Sequence, residues 1–73
     1  MLQTVTALTP RQREVLKALH AGQRPPQIAQ AMRVNQTTVR EHTKHIKRFY
    51  EVEARGERAY QEAIQKAKRR GDL

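Results

Sequence analysis

The residues best placed to do chemistry are four cations, Arg40, Lys44, Lys47 and Arg48, whose spacing of three and four positions puts them on one side of a helix. Cations held this way can bind nucleic-acid phosphates, and an arginine can also pair with both acceptors of a guanine edge. Other chemistries find less to work with. His42 and His45 stand three apart, but the chain has no cysteine and no third histidine nearby, so no metal site is expected. The carboxylates Glu14, Glu41, Glu51, Glu53, Glu57, Glu62 and Asp72 show no evident pairing, no nucleophile sits beside a base, and there is no glycine-rich phosphate loop. The expectation is a protein that is not an enzyme, with no cofactor and no small-molecule substrate. Phe49, Tyr50 and Tyr60 have the ring faces that stack on unpaired bases, yet their helical spacing beside Ile46 assigns them to packing.

The overall charge agrees with a polyanionic partner. The chain of 73 residues carries 15 Lys and Arg against 7 Asp and Glu, a formal net charge of +8. No stretch approaches the ~18 apolar residues of a membrane span, and no amino-terminal signal pattern is seen. A soluble, cytoplasmic protein with no membrane partner is expected. A chain this short buries only ~60% of the surface it exposes when unfolded, which leaves little room for a deep cavity. Without cysteine, cohesion must come from helix packing.

Four helical segments must position these residues. Residues 1–7 carry no charge and no helical periodicity and read as a loose leader, with a single domain over 8–73. Thr9 before Pro10, with Gln12 three residues on, is a capping-box start. The first helix is expected over 10–21, with Val15, Leu16 and Leu19 inward and Gly22 as its stop. Pro25 and Pro26 can only begin a helix, so the second is expected over 25–33 with Ile28, Ala29 and Met32 facing the core. Asn35 is a suitable N-cap, its side-chain oxygen able to accept from the amide of Thr37 or Thr38. The third helix follows over 36–51, with Val39, Ile46, Phe49 and Tyr50 on one side and the cations on the other. Tyr60, Ala63, Ile64 and Ala67 mark a fourth over 57–70, closed by Gly71, with Lys66, Lys68, Arg69 and Arg70 at its dipole-favoured end. The fold class is all-α, a tetrahelical bundle.

Two short helices, a tight turn and a longer basic helix form an arrangement in which the last can enter a DNA major groove, about 12 Å wide. Residues Leu8-Thr9-Pro10-Arg11, Glu14-Val15-Leu16, Ala21-Gly22, Ile28-Ala29, Val34 and Thr38-Val39-Arg40-x-His42 together resemble the LuxR/GerE-type helix-turn-helix. The resemblance covers roughly Leu8 to Val52, with a weaker echo through Ala63, Ala67 and Gly71. It implies a four-helix regulator domain that binds double-stranded DNA, commonly as a homodimer through the last helix, here 57–70. Carried onto matching positions, it implies base contacts from Arg40, Glu41 and Lys44, and phosphate or bracing contacts from Thr38 and His42; Thr37 is also expected to contact phosphate. From charge and placement alone, Lys47 and Arg48 are phosphate contacts. Arg24 stands where the family usually caps the second helix with serine, and the segment from Val52 to Ala63 is longer than the family's. The expected role is a bacterial, nucleoid-associated transcription regulator, or the DNA-binding part of a plasmid or replicon maintenance or segregation protein. The alternative is a protein-interaction module docking on RNA polymerase or another regulator.

Overall fold

In the computed structural model, which describes residues 8–73, the chain forms α1 (Pro10–His20), α2 (Pro25–Met32), α3 (Gln36–Phe49) and α4 (Glu57–Arg69). No strand is present among the described residues. The expected leader, residues 1–7, lies outside them.

Each helix begins and ends for a local reason. At the start of α1, Thr9 Oγ1 accepts from the Gln12 amide at 3.2 Å and Gln12 Oε1 accepts from the Thr9 amide at 3.1 Å, so two orphan donors are satisfied reciprocally. All four carboxyl ends close with the same back-bond to a carbonyl five residues earlier. Gln23 N–H donates to Ala18 O at 3.0 Å, Val34 to Ala29 at 3.0 Å, Val52 to Lys47 at 2.8 Å and Asp72 to Ala67 at 2.8 Å. That turn needs a left-handed residue. Gly22 and Gly71 supply it after α1 and α4, but Arg33 (φ 59°) and Glu51 (φ 56°) supply it after α2 and α3.

This explains the differences from the sequence reading. The expected extensions of α2 to residue 33 and of α3 to residue 51 fail because Arg33 and Glu51 have turned left-handed. α1 and α4 each end one residue sooner than expected, with Ala21 and Arg70 as their caps. Asn35 has the extended backbone of an N-cap, yet its side chain makes no capping hydrogen bond. Asn35 and the first turn of α3 are exposed, so water competes for the same donors and the cap gains little.

α3 is the hub, packed against each of the other three helices, and α4 also packs on α1. Its inward residues Val39 and Ile46 are at most 1% exposed and meet Val15, Leu16 and Leu19 of α1 and Ile28 of α2. Ala59, Ala63 and Ala67 are buried at successive turns of α4, and their small side chains let its backbone lie close against the core.

Candidate nucleic-acid interface

With about 100° between successive helical residues, Val39, Thr43, Ile46 and Tyr50 fall in a sector about 60° wide, and all four are buried. Thr37, Glu41, Lys44 and Arg48 point the opposite way and are exposed. Arg40 is exposed and Lys47 half-buried on one flank, while Thr38 and His45 are exposed and His42 half-buried on the other. The back of α3 is fixed by apolar contact and its front presents arginine, lysine, threonine and glutamate to solvent.

Thr43 is a core member that apolar periodicity missed. It is 4% exposed, and its hydroxyl donates to Arg40 O at 2.7 Å, so its polar atom is satisfied inside the helix. Phe49, expected among the inward residues, is instead half-buried on the rim. The Arg70 guanidinium lies 4.7 Å from its ring centroid, and Tyr50 meets it edge-on at 4.9 Å.

The carboxyl end of α3 is held by α4. Lys66 Nζ donates to Tyr50 O at 3.0 Å and to Glu51 O at 3.1 Å, placing a cation on the negative end of the helix. Tyr50 Oη donates to Asp72 Oδ2 at 2.6 Å. Burial, and then this bond to a carboxylate, hold the Tyr50 phenol well above the usual tyrosine range. Neither tie was visible from residue spacing, because each joins positions fifteen or more apart whose meeting depends on how α4 folds back.

Arg24 replaces a side-chain cap with a different anchor. Its guanidinium makes a two-pronged pair with Glu57 at the start of α4, with Nε to Oε1 at 2.9 Å. It also donates to Gln23 O at 2.7 Å and lies 5.1 Å from the Tyr60 ring centroid. The hydrogen bond to Glu57 raises the arginine and correspondingly lowers the glutamate. Gln27 Oε1 accepts from the Arg24 amide at 3.0 Å, which supplies half of a capping box from inside α2.

One cleft, of about 550 Å³, separates the first turn of α1 from α3. Thr9, Arg11 and Gln12 line one wall, and Thr37, Thr38, Glu41, His42 and His45 line the other. The structure therefore gathers four of the expected site residues beside α1. Arg40, Lys44, Lys47 and Arg48 lie on the remaining face of α3.

A helix pinned from behind, with a polar and cationic front and two short helices bracing it, is the arrangement of a helix-turn-helix DNA-binding domain. Residues 6–59 match the bacterial regulatory proteins of the luxR family, and the chain belongs to that family. The match ends within α4. No curated protein and no solved structure matched the chain.

Proposed function

We propose that the chain binds duplex DNA sequence-specifically by laying α3 in the major groove. The observation that carries this reading is the division of α3 into a buried back and an exposed front. Arg40, Glu41 and Lys44 read base edges: the arginine pairs with guanine acceptors and Glu41 accepts from a cytosine amino group. Thr37, Thr38, His42, Lys47 and Arg48 contact phosphates and set the register. The biological role is transcription regulation in the cytoplasm, at the nucleoid, or the DNA-binding step of plasmid or replicon maintenance or segregation.

Pairing of two copies through α4, as the family resemblance implies, would be a polar contact. The exposed residues of α4 are Glu57, Arg58, Gln61, Gln65, Lys68 and Arg69, while Ala63, Ile64 and Ala67 face the chain's own core. Such a dimer should form on DNA half-sites and fall apart with salt in solution. Light scattering with and without duplex measures this.

The test of function is selection of bound duplexes from a random library, followed by affinities for the selected and a scrambled duplex across a salt series. Arg40→Ala should relax preference at one base position, at ~1–3 kcal/mol of discrimination. Lys47→Ala should weaken both duplexes alike and reduce the salt slope by about one contact. Equal binding of both duplexes by the wild type would sink base readout. Docking on RNA polymerase or another regulator would then be the reading to pursue, and a protein partner that stays bound after Arg40→Ala and Lys44→Ala would remove that reading's claim to the front of α3.

A further inference from the structure

The two sides of α3 are unequally supplied with fixed charge. One flank carries Arg40 and Lys47, but the flank facing α1 carries only Thr38, His42 and His45. A helix with its side chains is about 10–12 Å across, close to the width of the major groove, so a helix laid there brings both bordering phosphate strands against its neighbours. A cationic phosphate anchor on the α1 side, beyond the contacts assigned to Thr38 and His42, would balance Arg40 and Lys47 on the other flank.

The start of α2 is poorly equipped to serve as an additional anchor. Pro25 and Pro26 remove the first two amide donors of the helix, and the Arg24 guanidinium is occupied by Glu57 and by main-chain carbonyls. Arg11 is in a different situation. Among the described residues it is the only lysine or arginine lining the cleft between α1 and α3. Its side chain is 61% exposed, and its ion pair with Glu14 is a loose one at 3.7 Å. Both residues of that pair are solvated, so the pairing opposes a stronger phosphate contact only weakly.

The geometry points to Arg11 as a phosphate-binding residue that grips the DNA strand on the α1 side of the recognition helix, with the cleft beside it receiving the backbone. The inference rests on the major-groove reading above and adds a contact from outside the helix-turn-helix. Glu41 also lines the cleft, and its negative charge is what Arg11 offsets as the phosphates approach. His45 and Thr38, which line the same cleft, add hydrogen-bond donors to the same strand.

The test compares wild type, Arg11→Ala, Arg11→Lys and Glu14→Gln on the selected and scrambled duplexes from 0.05 to 0.3 M salt, with melting temperatures as a folding control. One lost phosphate contact lowers the log–log salt slope by about 0.9, which amounts to about five-fold in affinity near 0.15 M when the lines are extended to 1 M. Arg11→Ala should show that loss equally on both duplexes, Arg11→Lys should restore the slope, and Glu14→Gln should tighten binding slightly. Retention of the full slope and affinity by Arg11→Ala, while Arg40→Ala still relaxes base preference, would overturn the Arg11 contact and leave the major-groove reading standing. Failure of the wild type to bind any duplex would overturn both.

Discussion

Replacing Arg24 by serine restores the residue the family usually places before its second helix, and residue preferences alone would expect a gain in stability. The structure reverses that expectation. A serine cap normally contributes about 0.5–2 kcal/mol by accepting from the second or third amide of the helix. Here the first two helical residues are prolines, and the third amide, that of Gln27, already donates to Arg24 O at 2.9 Å. The gain therefore sits near the low end, about 0.5 kcal/mol. The loss is larger. Removing the guanidinium from the Tyr60 ring costs about 0.5–1 kcal/mol, and losing the bond to Gln23 O costs about 1 kcal/mol. The pair with Glu57 is open to solvent and adds little. The net expectation is destabilisation of about 1 kcal/mol, which for a domain this size lowers Tm by roughly 4–8 °C. Thermal unfolding followed by circular dichroism measures it, and a cycle with Tyr60→Leu isolates the ring contact as a coupling of at least about 0.5 kcal/mol. An Arg24→Ser protein that melts at or above the wild-type temperature would refute the reasoning.

Three further outcomes are expected. Tyr50→Phe should cost about 1–2 kcal/mol near neutral pH by removing the charge-assisted bond to Asp72. Because the folded phenol is held above its ordinary value near 10, the stability it contributes is complete below that pH and is lost as pH rises beyond it. Denaturant unfolding at a series of alkaline pH values should therefore show a fall in the wild type that flattens in Tyr50→Phe. Lys66→Met should cost about 1 kcal/mol and speed amide exchange in the last turn of α3, with the first turn unaffected. Glu51→Gly should add about 0.5–1 kcal/mol in chemical denaturation, since glycine adopts the left-handed turn without the side-chain clash while making the unfolded chain more flexible; a loss of stability would show that Glu51 serves in another way.

The helical class, the capping box at Thr9 and Gln12, and the cationic stripe of α3 are local properties, set by neighbours within a turn or two. They were accordingly visible in the order of residues. The spacings from Leu8 to Val52 that carry the resemblance to the regulator family lie in the order of residues in the same way. Where the sequence misjudged an element, the cause was non-local or conformational. Arg33 and Glu51 carry no mark of a left-handed turn, and only the packing of the following segment requires one. Thr43 is polar by composition and becomes core because its hydroxyl bonds back to Arg40 O. Tertiary structure alone decided that Arg24 reaches across to Glu57, that Lys66 closes α3, and that Arg11 shares a cleft with His42 and His45. Each of these depends on where one helix lies against another, and that is fixed by the summed burial of the core rather than by any short pattern of residues.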